Sequence, residues 1–391
     1  MRFWGAHWRQ IGATGGIILI LAALLLWRLG SLTHGLSQPE VAAASFSSSW
    51  HHLAANPLFL PLHVVQWLIL TVVSHHGATV TRLASTCYGI LALLAFAYIL
   101  RRWYGIKTAF YGTLLFACSA WFLHVSRFAG NDVMYVWGVP TLLALQILWE
   151  RRSNQLQVQI MSVVGLAMLL YVPGMLWLVA LSIGLQFDMV REGWQQIQTS
   201  RRRLLLVASL GLFMLPLVWS GIHTPSVLLA WVGLPQHFDQ PIHIVQRLGL
   251  SGTYLFYRGP FQPTLWLDRQ PVLGIFELVC FLLGLVFYAR HFGAPRTRQL
   301  FALLVVGIVL FALQGPVTYS VVVPLVYLVV TGGVGYLLHE WLHVFPRNPL
   351  ARGIGFGLMA LVIALACFYN LRSYFVAWPH SKAAQSAFVK Q

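Results

Sequence analysis

Apolar residues run along most of the chain in blocks of about 16 to 20, separated by short polar or basic punctuation. A helix needs about 20 apolar residues to cross a bilayer. The first block, Ile11 to Leu29, follows Arg2 and Arg9, and no small-x-small cleavage site comes directly after it. This predicts an uncleaved first span rather than a signal peptide. Further spans are predicted near 83–100, 107–125, 132–149, 204–221, 271–289, 299–314, 317–338 and 353–371.

Two stretches depart from that pattern. Residues 57–74 begin Pro57-Leu-Phe-Leu-Pro61 and carry His63, Gln66, Thr71 and Ser74 as a polar stripe at helical spacing, which suits a helix lying along the membrane interface. Residues 156–187 are long for one span and short for two, and Pro173-Gly174 divides them into a helix pair.

Composition agrees with this reading. Among 391 residues, 58% are hydrophobic and 9% charged, and mean hydropathy is +0.73. A soluble domain carries about 25% charged residues. Soluble enzymes, nucleic-acid-binding domains and disordered tails are therefore excluded. The four cysteines, Cys87, Cys118, Cys280 and Cys367, lie in apolar runs without a Cys-x-x-Cys neighbour, so neither a zinc site nor a disulfide framework is indicated.

The charge imbalance, 25 Lys and Arg against nine acids, then sets topology. Basic residues collect in cytoplasmic loops. With 57–74 interfacial, 156–187 a pair of short spans and the N-terminus inside, 16 of the 25 cations fall in inner loops; if 57–74 crosses, only 10 do. The first arrangement is expected: an all-α polytopic protein of about eleven spans, N-terminus cytoplasmic and C-terminus outside. Its outer face carries two long segments, 31–82 and 222–270. The expected organisation is a transmembrane module at 1–203 and a second at 204–391, with no soluble domain.

Nine acids make each one informative. Glu150, Asp188, Glu192 and Glu340 sit beside inner basic residues or span ends, where local pairing explains them. Glu40 and Asp132 reach the outer face from separate loops, with Arg127 beside the latter in Ser126-Arg127-Phe-Ala-Gly-Asn131-Asp132. An acid entering an apolar helix is costly and usually paired or functional. The pair reads either as a salt bridge holding the loops or as a carboxylate activating a nucleophile beside a phosphate-binding Arg.

The series Asn56-Pro57-Leu58, Arg82-Leu83, Arg101-Arg102, Ala109 and Ser126-Arg127 through Asp132 resembles, in order and spacing, the N-terminal module of GT-C glycosyltransferases, including protein O-mannosyltransferases (family 39) and lipid A aminoarabinose transferases. The resemblance covers about residues 11–190. It implies membrane-parallel helices in the first outer loop and a sugar donor on polyprenyl phosphate, with the lipid phosphate as leaving group. It maps the acceptor-activating or acceptor-orienting acid to Glu40, and a second acid to Asp132. It further implies an acceptor that is a glycan, lipid or protein at the extracytoplasmic face of a bacterial inner membrane. The sequence departs from the family in having a single acid at Glu40 and no Lys around Tyr171-Val-Pro-Gly174.

In the second outer segment, Tyr254, Tyr257 and Arg258 place aromatics beside a cation, suited to a sugar ring and a phosphate or to membrane anchoring. His51-His52, His75-His76, His223, His237 and His243 lack metal-ligand spacing, and so few carboxylates argue against a divalent-metal cofactor. The expected site is thus Glu40 and Asp132 as catalytic acids, with Arg127, Tyr254, Tyr257 and Arg258 binding substrate. Two rivals stand beside it: an inactive GT-C-like scaffold or lipid-binding protein, and a transporter or flippase. The latter needs deep polar groups and a repeat between halves that the chain lacks.

Overall fold

A computed structural model describes residues 19–33, 35–73, 77–197 and 199–388. The first half of the predicted first span, with Arg2 and Arg9, lies outside these residues, as do Ser74, His75 and His76.

Among the described residues the chain is helical throughout, and its one β-type pairing is an isolated antiparallel bridge between Ser37 and Phe388. Helix α1 occupies 19–26. The segment expected from sequence to be the first outer one folds into three short helices, α2 (Gln38–Ser48), α3 (Trp50–Ala55) and α4 (Leu60–Val72). There follow α5 (Ala78–Tyr104), α6 (Ile106–Cys118), α7 (Ala120–Ser126), α8 (Val133–Arg152), α9 (Leu156–Leu170), α10 (Met175–Leu185), α11 (Phe187–Gln195) and α12 (Ser200–His223). The second outer segment contains α13 (Pro225–Val232) and α14 (Pro241–Phe256). The chain closes with α15 (Ile275–Arg290), α16 (Pro295–Ala312), a short turn at Tyr319–Val321, α17 (Val323–Val344), α18 (Pro349–Arg372) and α19 (Lys382–Ala387).

Six of these helices are long and apolar enough to cross a membrane. The stretch 107–125, expected as one span, is instead a pair bent by 63°. The break falls at Ser119, whose hydroxyl accepts from the Phe122 N–H (3.3 Å) and restarts the helix. Counting that pair gives seven spans, so the eleven crossings expected from sequence are not reached by length and apolarity alone. Three further helices, α4, α9 and α10, are apolar but shorter. Residues 156–187 divide as expected, into α9 and α10, at Gly174, whose φ of +73° suits glycine. Helix α4, with 13 residues, is about 20 Å long, well short of a bilayer core of about 30 Å. Its His63 and Gln66 are buried against α2 instead of facing an interface.

Helix α17 is the axis of the bundle. Of its apolar window, counted from Tyr319, 83% is buried, against 17% for α12 and 22% for α18 with its C-terminal extension. Small residues let α15 and α17 touch backbone to backbone: a Cβ at Gly333 would fall 1.8 Å from the Cys280 carbonyl, and one at Gly284 2.1 Å from that of Val329. Buried polar side chains tie further helices together. Gln299 Nε2 donates to Ser182 Oγ (3.0 Å), and Asn370 Nδ2 donates to Glu277 (2.9 Å).

The two ends of the bundle differ in charge. Arg101 and Arg102 close α5, Arg151 and Arg152 close α8, and Arg201 to Arg203 open α12. At the opposite end of α5, helix α2, the 127–132 loop and the chain's C-terminal segment converge.

Candidate active site at the Asp132 cavity

Two carboxylates occupy this end of the bundle, in opposite circumstances. Glu40 is the third residue of α2, capped by Ser37, and its Oε2 accepts from the Ser37 N–H (2.9 Å) and hydroxyl (3.0 Å). This is the acidic half of a capping box. Arg82, from the first turns of α5, donates to both oxygens, Nε to Oε1 at 2.6 Å and Nη2 to Oε2 at 2.9 Å, and the Ala129 N–H approaches Oε1 at 3.4 Å. The remaining Arg82 donors go to the carbonyls of Leu29 and Gly35 and to Thr33 Oγ1, and its guanidinium lies 5.8 Å from the Phe388 ring. The Glu40 side chain is 0% exposed. A bidentate, desolvated pair with its lone pairs used is a structural joint: it fastens the first outer segment, α5, the 127–132 loop and the C-terminal segment together.

Arg127 is held by backbone and rings, with its buried Nε left without a hydrogen-bond partner among the described residues. It donates to the carbonyls of Leu24 (3.1 Å) and Trp27 (2.6 Å) and is flanked by the rings of Tyr374 and Phe375 at 5.2 and 4.8 Å. The expected phosphate ligand is thus buried, holding α1 to the C-terminal segment.

Asp132 stands elsewhere. As N-cap of α8 it lines a cavity of about 520 Å³ between α2, the start of α4, the 127–132 loop and Leu265. Ala42, Ala43, Phe46, Leu58, Phe59 and Phe128 form its apolar walls; Asn56, His63, Asn131 and Asp132 are its polar groups. Asp132 is half-buried. Burial pushes its carboxyl above the ordinary aspartate range, partly offset by the nearby Thr318 hydroxyl. Asn131 Oδ1 is buried without a hydrogen-bond partner among the described residues. Phe59 enters α4 at φ +57°, a conformation unusual for a bulky residue, with its N–H on the Tyr171 carbonyl (2.9 Å) and its ring 5.9 Å from that of Tyr135.

His63 is set by a chain of hydrogen bonds. Gln66 Nε2 donates to the Thr81 carbonyl (3.3 Å), Ser47 Oγ donates to Gln66 Oε1 (2.8 Å), and Ser47 Oγ lies 2.8 Å from His63 Nδ1. Because the Ser47 proton is committed to Gln66, Nδ1 must be the donor to Ser47, and Nε2 is left as an acceptor. Burial pulls the His63 pKa down to about 4, so the ring is neutral at ordinary pH.

Of the residues expected from sequence, the structure brings Asp132 to the cavity and places Glu40 behind its wall. Tyr254 packs on Phe311 and Tyr319, Tyr257 is 80% exposed, and Arg258 is exposed; none of the three lines the cavity. Sequence reasoning assigned no role in the site to His63, Asn56 or Asn131, although His63 stood in the α4 polar stripe and Asn131 adjoins Asp132. No cation lines the cavity. Among the described residues no three His, Cys, Asp or Glu side chains gather to hold a metal ion.

The molecule is thus a multi-pass helical membrane protein, and the Asp132 cavity opens at one end of its helix bundle. Its fold is that of GT-C membrane glycosyltransferases. The chain is similar to ArnT from Cupriavidus metallidurans, with a TM-score of 0.56 and 14% identity to the apo structure, covering 96% of this chain and 75% of ArnT. It is equally similar, at 13% identity, to ArnT bound to undecaprenyl phosphate. It also resembles the apo oligosaccharyltransferase of Archaeoglobus fulgidus, with a TM-score of 0.55 and 14% identity, over 95% of this chain and 56% of that one. No protein-family model and no curated protein matches the chain. Identities this low establish a shared fold.

Proposed function

We propose that the protein transfers a sugar from a polyprenyl-phosphate donor to an acceptor on the extracytoplasmic face, with the Asp132 cavity as its site. The observation that carries this reading is the cavity itself. It is of sugar size, it lies where the outer segments of a GT-C fold meet, and Asp132 is the one acid lining it. The Asp132 carboxylate takes the proton of the acceptor hydroxyl as its oxygen bonds to the anomeric carbon. The bond from that carbon to the lipid phosphate oxygen breaks, and its electron pair leaves on the phosphate. A carboxyl raised toward neutral pH is the better proton acceptor.

Glu40 then acts through position. With Arg82 it fixes α2 against the 127–132 loop and so sets the distance across the cavity. Arg258, exposed just beyond the end of α14, is the cation this reading assigns to the departing lipid phosphate. The saturation of Glu40 and the burial of Arg127 favour a second reading, a scaffold that binds lipid without chemistry. Mass analysis of lipid-linked sugars and envelope glycans separates the two. Cells making the wild-type chain should gain a glycosylated product that cells making Asp132→Asn lack, and equal profiles with and without the chain would refute transfer.

A further inference from the structure

The cavity has hydrogen-bonding capacity to spare. His63 Nε2 has no protein partner among the described residues, Asp132 is an acceptor when ionised, the Asn56 and Asn131 side chains carry amide N–H donors, and no Lys or Arg lines the walls. Such a lining suits a ligand that both donates and accepts hydrogen bonds and carries no negative charge, which describes the hydroxyls of a sugar ring better than a phosphate group.

We infer that His63 contacts the substrate: held in its Nδ1–H form by the Ser47–Gln66–Thr81 chain, it presents Nε2 to the cavity as the acceptor for a sugar hydroxyl. This rests on the glycosyltransferase reading and deepens it by assigning the cavity to the sugar and its hydroxyls. The phosphate lies outside.

Three features support the assignment together. The ring is 4% exposed yet lines the cavity, so the little surface it keeps faces that space. Its tautomer is set from behind, by a serine whose only proton is spent on Gln66. Its T-shaped contact with Phe46, at 4.9 Å between centroids, fixes the ring plane. A histidine serving packing alone does not need a three-member chain to choose between its tautomers. The depressed pKa fits as well, because a neutral ring keeps the Nε2 lone pair available through the acidic range.

Two substitutions separate contact from support. In His63→Asn the amide sits near Nδ1: it keeps the Ser47 bond and deletes the cavity acceptor. In His63→Gln the longer side chain places an amide oxygen near the position of Nε2. Product formation is read by mass analysis of lipid-linked sugars and envelope glycans, in cells with matched levels of full-length protein and with donor supply varied. His63→Asn should raise the donor concentration for half-maximal product about tenfold, the effect of losing one hydrogen bond to an uncharged group, and His63→Gln should recover most of it. Wild-type behaviour of His63→Asn alongside a dead Asp132→Asn would overturn the His63 assignment and leave the transfer reading standing. Asp132→Asn matching the wild type would remove the transfer reading, and this inference with it. If His63→Asn is poorly expressed, Asn131→Ala, which removes a polar side chain that lines the cavity and makes no internal side-chain hydrogen bond, should show an apparent weakening of the same kind; a normal profile there would also count against a hydroxyl-reading cavity.

Discussion

Glu40 and Asp132 stand at the same end of the bundle, yet their surroundings are opposite. Around Glu40 every polar atom is answered: Arg82 spreads its donors over the carboxylate, two carbonyls and a hydroxyl, and the N-cap serine takes up Oε2. Around Asp132 capacity is left over, with a half-buried carboxylate, a buried Asn131 oxygen without a partner and a histidine that lines the cavity with its Nε2 unpaired. Saturation marks architecture, because a buried charge is tolerated only when fully paired. Unspent capacity beside a cavity points to a ligand, because polar groups without a protein partner can be completed there by one.

Breaking the saturated region should have the largest effect on folding. Arg82→Leu leaves the Glu40 carboxylate buried and unpaired, and should destabilise the protein by about 3–5 kcal/mol, read as a lower unfolding midpoint in detergent. Acidification should cost on the order of 3 kcal/mol through His63. Its folded pKa, about 4, lies below the ordinary 6.5, so the unfolded chain binds more protons between those values and stability falls as pH drops from about 6.5 to 4. Unfolding midpoints taken across that range should show the slope, and His63→Gln should flatten it. Ser47→Ala strands Gln66 Oε1 and His63 Nδ1, and should cost about 1–3 kcal/mol in the same assay. Tyr257→Ala, on the exposed end of the second outer segment, should change stability by no more than about 0.5 kcal/mol.

The same contrast explains what was legible in the sequence. Apolar blocks and flanking Arg pairs foretold the helices, the break at Gly174 and the gathering of outer segments opposite Arg101-Arg102 and Arg151-Arg152, because those follow from one-dimensional periodicity and charge. The bend at Ser119 was hidden, since a lone serine in an apolar run gives no helix-stop signal. Scarcity picked out Glu40 and Asp132 but did not rank them: their difference depends on Arg82, 42 residues from Glu40, and on which side of α2 the cavity opens. Arg127 looked like an anion ligand because its partners, backbone carbonyls and C-terminal rings, carry no local signature. His63 was visible as part of a stripe, but the stripe's direction, inward to Ser47, is a tertiary fact.

The most direct test measures unfolding midpoint and product formation side by side in Asp132→Asn and Glu40→Gln. Asp132→Asn should keep the wild-type midpoint and lose about 10²–10⁴-fold in transfer, the usual worth of a general base. Glu40→Gln should lose midpoint first, and whatever protein remains folded should still transfer. Full transfer by Asp132→Asn, with a stable but inactive Glu40→Gln, would contradict the account and return the chemistry to Glu40.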